Sequence, residues 1–301
     1  MKAVLIGSTG QLGTDIVGVW PGDGRMIALT HSDIEVADRS QVFAVLSRHA
    51  PDLVVNTAAF HNVDRCEEEA DHAFAVNAVG AMNVADACQE LGAVLLHVST
   101  DYVFSGGARQ PYTESDLPDP VNVYGVSKAA GEQLIRTRHP EHYIVRTSGL
   151  YGVAGASGKG GNFVERMLQL ARDGKDIHVV DDQVFSPTFT ADLAECLFDV
   201  AQSGRFGTYH ITNGNWCSWY EFAVAIFEMT HTEANLYRTT TSAFGAKAQR
   251  PAFSVLANEA LSEAGMNSPR PWPQALAEYL RRKNYLTGGV CSDHYEHARI
   301  A

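Results

Sequence analysis

Three glycines spaced three residues apart, Gly7, Gly10 and Gly13, directly follow the aliphatic run Ala3-Val-Leu-Ile6 near the start of the chain. A chain that leaves a buried strand through such a turn and enters a helix has few choices. Glycine lets strand and helix pack closely and lets the backbone approach a ligand. The helix N-terminus then presents unpaired N–H groups and the positive end of its dipole to an anion. Any tight strand-to-helix turn could show the same glycines, so their weight depends on the rest of the chain.

The rest of the first half alternates. Val/Ile/Leu-rich runs at Ala3–Gly7, Met26–Thr30, Leu53–Asn56, Ala93–Ser99 and His142–Thr147 read as parallel strands covered on both faces. Helical patterns near Gln11–Val19, Ser40–His49, Glu67–Leu91 and Tyr124–Arg138 separate them. Strand, crossover helix and strand repeated in this way predict an α/β fold, a doubly wound parallel sheet of the Rossmann type. After about residue 147 the rhythm breaks. A glycine-rich loop at Gly152–Gly161 reads as mobile or closing over a ligand. Helices are predicted near Asn162–Arg172, Thr190–Gln202, Ser218–His231, Val255–Ala264 and Pro273–Lys283, with strands near Ile177–Val180 and Thr208–Thr212. The division expected is a dinucleotide-binding domain at 1–147 and a smaller mixed α/β substrate lobe at 148–283. Elements near 186–202 are candidates to pack back on the main sheet, and 284–301 reads as a flexible tail.

Composition excludes several functions. The 301 residues carry a formal charge of −12, which argues against nucleic acid or an anionic membrane surface as partner. No apolar run reaches the length of a membrane span, and the N-terminal run is too short for a signal peptide. The five cysteines, Cys66, Cys88, Cys196, Cys217 and Cys291, are odd in number and lack Cys-x-x-Cys spacing. They read as reduced thiols in a cytoplasmic protein.

Candidate chemistry sits at the carboxyl ends of the predicted strands, where open α/β sheets bind ligands. The second strand ends in Leu29-Thr-His-Ser32, with no carboxylate before Asp33. That leaves room for a 2′-phosphate and favours NADPH, with NADH admitted if Asp33 bends back to the ribose. Asp38-Arg39 opens the next segment and is a candidate for the adenine edge. Asn56-Thr-Ala58-Ala59 ends the third strand with small residues that let a dinucleotide lie close or merely let a helix pack. Ser99-Thr100-Asp101 ends the fourth; the Thr100 hydroxyl is placed to donate to a carbonyl oxygen, or to cap a turn. Tyr124 and Lys128 stand one helical turn apart. An ammonium there would favour the phenolate and make Tyr124 a usable acid/base, and it could also hold a nicotinamide ribose. As a plain surface pair the two would contribute only a few tenths of a kcal/mol.

In their order along the chain these motifs resemble the extended short-chain dehydrogenases/reductases, and within them the dTDP-4-dehydrorhamnose reductase family. The narrower resemblance rests on Gly10-Gln-Leu-Gly13, Ser99-Thr-Asp-Tyr-Val-Phe104, Asn122-Val-Tyr-Gly-Val-Ser-Lys128 with Gly131-Glu132, and Arg146-Thr-Ser148. Gly161-Asn-Phe163, Asp182-Gln183 with Pro187-Thr188, and Arg250-Pro-x-x-Ser254-x-Leu256 extend it over roughly 1–283. The resemblance implies NADPH- or NADH-dependent reduction of the C4 ketone of a dTDP-6-deoxy-4-hexulose to dTDP-L-rhamnose. It implies Tyr124 as proton donor, Lys128 as its modulator and a cofactor ligand, and Thr100 as donor to the carbonyl. It places Gly10, Gln11 and Leu12 at the pyrophosphate, Asp38, Arg39 and Ala59 along the adenosine and linker, and Asp101, Gly149, Asn162 and Arg250 on the substrate side. Arg250 is read first as a ligand of the nucleotide diphosphate, with a structural salt bridge as the lesser alternative.

Two departures bear on the sugar. Gly149 stands where the family commonly has a tryptophan expected to stack on it, and Phe185 stands where a glycine is expected and refills some of that volume. Asp15 is a position for the interfacial magnesium of some relatives, but it has no evident partners, so no functional metal is expected. His294 and His297 read as solvated tail residues. The partner expected is a dTDP-linked keto sugar, and both a monomer and a homodimer are open. Two rival readings remain: a reductase of another nucleotide 4-keto sugar, and a non-catalytic dinucleotide-binding regulatory subunit.

Overall fold

The structure, a computed structural model, describes residues 1–20, 26–155 and 161–286. The middle of the glycine-rich loop, Cys291, His294, His297 and most of the expected tail lie outside the described residues. Of that tail, Tyr285 is described and anchored: its hydroxyl donates to Glu165 at 2.7 Å.

Six parallel strands form the central sheet in the order Gly207–His210, His142–Thr147, Val94–Thr100, Leu53–Asn56, Ala3–Ile6, Met26–Leu29. Each strand places alternate residues on opposite faces. Ala3 and Leu5 therefore meet Leu12 and Ile16 of helix Gln11–Val19 and Leu193, Leu197 and Val200 of helix Thr190–Gln202. Val4 and Ile6 meet Val42 and Leu46 of helix Arg39–His49, Val84 and Cys88 of helix Ala81–Leu91, and Ile135 of helix Val123–Arg138. Thus helix Thr190–Gln202, late in sequence, packs on the central sheet and strand Gly207–His210 belongs to it. A second core, built from Tyr151, Val164, Phe189, Phe222, Trp272, Leu276 and Tyr279, forms the lobe.

The helix predicted over Glu67–Leu91 is interrupted. Short helices at Val63–Glu68 and Ala70–Phe74 lead into a π-helical stretch at Ala75–Gly80 before Ala81–Leu91. The wider turn brings Asn77 inward, where its amide accepts from Phe60 N and donates to Phe60 O and to Ser127 Oγ. The Asn77 carbonyl comes so near the helix Val123–Arg138 that a Cβ on Gly131 would lie 2.3 Å from it. Hydrophobic periodicity cannot report such a bulge, because the apolar stripe continues through it.

Candidate active site

A cavity of about 630 Å³ opens where the carboxyl ends of the strands face the lobe. The topological switch lies between the neighbouring strands Ala3–Ile6 and Leu53–Asn56, which connect onward to opposite sides of the sheet.

The glycine turn forms one wall. Gly7 has φ +90°, and a Cβ there would lie 2.5 Å from Thr57 Oγ1. A Cβ on Gly13 would lie 2.3 Å from the Gly7 carbonyl. Gly10 caps helix Gln11–Val19 with no side-chain bond to its first N–H groups, which leaves those donors for a ligand. Gly7, Gly10, Gln11, Leu12, Gly13, Ala58 and Ala59 all line the cavity. Gln11 Oε1 and Thr147 Oγ1 are buried without a partner and also belong to its wall. A backbone cradle that no side chain can fill, together with orphaned polar atoms, fits a dinucleotide.

Asp33 is spent locally. Its carboxylate accepts from Thr30 N at 2.8 Å and Thr30 Oγ1 at 2.6 Å, and these bonds hold its pKa below the usual range. It is absent from the cavity wall, which Thr30, His31 and Glu35 reach instead. Asp38 and Arg39 are also placed elsewhere. Asp38 caps the helix Arg39–His49 through Gln41 N, and Arg39 pairs with Asp86 and lies over the Phe43 ring. An aspartate at the start of a helix satisfies free N–H groups there, so the capping role wins over the adenine edge.

The groups expected to react meet at the end of strand Val94–Thr100. Helix Val123–Arg138 starts at Asn122, whose side chain accepts from Gly125 N at 2.8 Å and donates to Gln249 O at 2.8 Å. This cap aims Tyr124 into the cavity beside Thr100, whose hydroxyl donates to Asp101 Oδ1 at 3.0 Å and accepts from Tyr102 N at 3.2 Å. Burial raises the Tyr124 pKa, and the neighbouring Asp101 raises it further. The phenol is therefore held protonated, as a proton donor must be. Lys128, 1% exposed, does not turn to Tyr124 as the spacing suggested. Its Nζ donates to Val98 O at 2.7 Å and lies 3.1 Å from His97 Nε2. The lowering of Tyr124 by Lys128 expected from the sequence is thus not what this arrangement does.

Asp101 is buried in the same wall. Burial pushes its pKa up to about 6, against hydrogen bonds from Ser254, Ser148 and Thr100. The folded state therefore binds the Asp101 proton more tightly than the unfolded chain, whose value is 3.8. Its contribution to stability is complete below about pH 3.8 and is lost as pH rises through about 6. A shift of this size is worth about 3 kcal/mol. Between pH 4 and pH 7.5 Asp101→Asn should gain most of that relative to the parent, read from urea unfolding at both pH values. A constant difference between the two proteins would remove the assignment.

Gly149 and Phe185 compensate each other in the cavity wall, which both line. Gly149 has φ +53°, and a Cβ there would lie 2.3 Å from Phe185 Cε2. The Phe185 ring fills that space and stacks on Trp219 with centroids 3.8 Å apart and planes at 18°. Gly149→Ala should cost about 2–4 kcal/mol, from left-handed strain and overpacking together. Adding Phe185→Ala should recover the steric part, giving a coupling of at least about 1 kcal/mol in a double-mutant cycle of unfolding free energies. Simple additivity would show that the ring does not occupy that space.

Two substrate-side expectations fall outside the cavity wall. Asn162 caps helix Phe163–Arg172 and donates to Gly152 O and Tyr279 OH, each at 3.0 Å. Arg250 forms a two-pronged pair with Asp64, at 2.8 and 3.3 Å, and tethers the segment whose Pro251 and Ser254 reach the cavity. The structural alternative for Arg250 is the one seen. Asp15 accepts from Thr190 Oγ1. Trp219 and His97 were not singled out from sequence, and Ser254 was named only within the Arg250-Pro-x-x-Ser254-x-Leu256 motif, without a role. Trp219 follows a legible signal, the Ser218–Glu221 capping box that starts helix Trp219–Thr230. His97 is the one polar residue within the run Val94-Leu-Leu-His-Val.

Comparison with known proteins agrees with this architecture. Residues 1–285 match the family model described as RmlD substrate binding domain. The chain is 44% identical over 284 residues to the Spore coat polysaccharide biosynthesis protein SpsK of Bacillus subtilis, covering 94% of this chain and 98% of that one. The solved structure of a dTDP-4-dehydrorhamnose reductase from Clostridium acetobutylicum superposes with a TM-score of 0.90 at 38% identity, over 94% of this chain and all of that one (100%). That of the dTDP-4-dehydrorhamnose reductase from Bacillus anthracis in complex with NADP gives 0.89 at 37%, over 94% and 100%. Matched along nearly its whole described length by sequence and by structure, the chain belongs to the dTDP-4-dehydrorhamnose reductase family.

Proposed function

We propose that this chain reduces the C4 ketone of a dTDP-linked 6-deoxy-4-hexulose, yielding dTDP-L-rhamnose, with NADPH as the reductant. The observation that carries the reading is the convergence of Thr100, Tyr124 and Lys128 on one cavity with the glycine cradle. A module that only binds a dinucleotide has no need of a protonated phenol and a hydroxyl in one cavity wall at the strand end, which weighs against a regulatory subunit. Bound NADPH would supply the hydride. Tyr124 gives its proton to the carbonyl oxygen, and Thr100 donates a hydrogen bond as charge develops there. Asp101 and the Phe185–Trp219 wall border the same space and are assigned to the sugar.

NADPH is favoured over NADH because the Asp33 carboxylate is turned away, and because a close relative holds NADP. Cys66, Cys88, Cys196 and Cys217 are buried and not joined in disulfides, which suits the reducing cytoplasm. Among the described residues no helix is long and apolar enough to cross a membrane.

The Gly149–Phe185 exchange favours one second reading, a reductase for a different nucleotide 4-keto sugar. A panel of dTDP-, UDP- and GDP-linked 4-keto-6-deoxy sugars, assayed by NADPH consumption, separates the two. Turnover is expected with the dTDP sugar; turnover confined to a UDP or GDP sugar would transfer the chain to the second reading.

A further inference from the structure

His97 is 1% exposed and plays no part in the proton transfer from Tyr124. Its Nδ1 lies 3.2 Å from Asn56 Nδ2, and its Nε2 lies 3.1 Å from Lys128 Nζ. The amide of Asn56 is not free to turn, because its Oδ1 accepts from Ala58 N at 3.1 Å. An N–H of Asn56 therefore points at Nδ1, which must accept. The neutral ring then carries its hydrogen on Nε2 and directs it at Lys128.

An ammonium offers three donors and no lone pair. Facing Nε2–H it would set donor against donor. A neutral amine accepts from Nε2–H and donates to Val98 O at 2.7 Å, so no donor in the row faces a donor. The titratable groups packed around this row are Tyr124 and Glu132 on the helix of Lys128, and Asp101 after the strand of His97. Arg146 and His142 stand on the next strand. Glu132 is the carboxylate that favours a charged Lys128, and it is itself engaged by Arg146, Arg136 and Ser99.

We propose that His97 is a positioning residue that donates Nε2–H to the Lys128 amine, so that Lys128 works as a titrating amine rather than a permanent ammonium. Burial acts in the same sense, lowering Lys128 to about 8 and holding His97 well below its ordinary value. The link to catalysis rests on the proposed cofactor-side placement of Lys128. A charged Lys128 attracts an anionic dinucleotide, so affinity for NADPH should fall as pH rises through the Lys128 transition.

The first test needs neither substrate nor cofactor. In protein labelled with ¹³C at lysine Cε, with Lys128→Arg identifying the resonance, Lys128 is expected to titrate near pH 8. In His97→Gln, whose side-chain oxygen can accept from an ammonium, the midpoint should rise by about one unit, tenfold in proton affinity. Long-range ¹H–¹⁵N spectra of the parent above the Lys128 transition, at about pH 9.5, should show His97 as the Nε2–H tautomer. An Nδ1–H tautomer, or a midpoint unmoved in His97→Gln, would overturn the proposal. The tautomer is read on the parent, so the proposal stays testable should the variant not fold. NADPH titrations of parent and variant across pH 6.5–9.5 give the functional readout. A merely structural His97 would weaken binding equally at every pH, which also counts against the proposal.

Discussion

Tyr124→Phe is expected to lower turnover by about 10²- to 10⁴-fold while leaving NADPH binding unchanged. The hydroxyl is needed only when the proton moves, so its removal takes away an interaction made in the transition state and spares the ground state. The ring itself packs edge-on to Tyr102, with centroids 5.9 Å apart, and phenylalanine preserves that contact. Steady-state kinetics and a fluorescence titration of NADPH check the two halves of the expectation. Parental turnover in the variant would contradict the assignment of Tyr124 as donor. The effect is large because burial and Asp101 keep the phenol protonated, so the group arrives at the reaction already carrying what it delivers.

Glu132→Ala is expected to cost about 3–5 kcal/mol, a large share of the roughly 5–15 kcal/mol by which a native protein is stable. Arg146 is fully buried and donates to Glu132 at 2.7, 3.0 and 3.2 Å through Nη2 and Nε. Burial pushes the Glu132 carboxyl up, but Arg146, with Ser99 and Arg136, outweighs it and holds the pKa below the ordinary value. Removing the carboxylate leaves a guanidinium in the interior without its partner. Ser99, which donates to Glu132 at 2.6 Å next to Thr100, also loses its anchor. Urea unfolding should therefore show the loss, and the end of strand Val94–Thr100 should loosen with it. A change below about 1 kcal/mol would mean that solvent reaches Arg146 and that the pair is not a buried tie.

Much of this molecule could be read from residues alone, for identifiable reasons. Parallel strands covered on both faces write themselves as aliphatic runs, so five of the six central strands stand out, and Gly207–His210 is legible as a strand without its place in the sheet. The cavity wall formed by Gly7, Gly10, Gly13, Ala58, Thr100, Asp101, Tyr124 and Lys128 accords with the rule that ligands meet strand ends. What sequence order could not supply was competition for each polar group. Asp38, Asn162 and Arg250 each have a nearer local partner, and only coordinates show that a helix cap or Asp64 claims them. The Lys128 amine is a similar case. Helical spacing puts it one turn from Tyr124, but the side chain is long enough to choose His97 and Val98 instead. The π-helical turn at Ala75–Gly80 and the stacking of Phe185 on Trp219 depend on contacts between distant segments that no local pattern encodes.

The central claim, that this cavity passes a hydride to a sugar ketone while Tyr124 passes a proton, is tested most directly by isotope transfer. NADPH carrying deuterium at the transferable C4 position is mixed with enzyme and dTDP-4-keto-6-deoxy sugar generated in place, and the sugar product is analysed by mass spectrometry. The expected result is one deuterium per product, bound to C4, formed in step with cofactor oxidation. Cofactor oxidation without deuterium in the sugar, or no oxidation with any nucleotide 4-keto sugar offered, would contradict it.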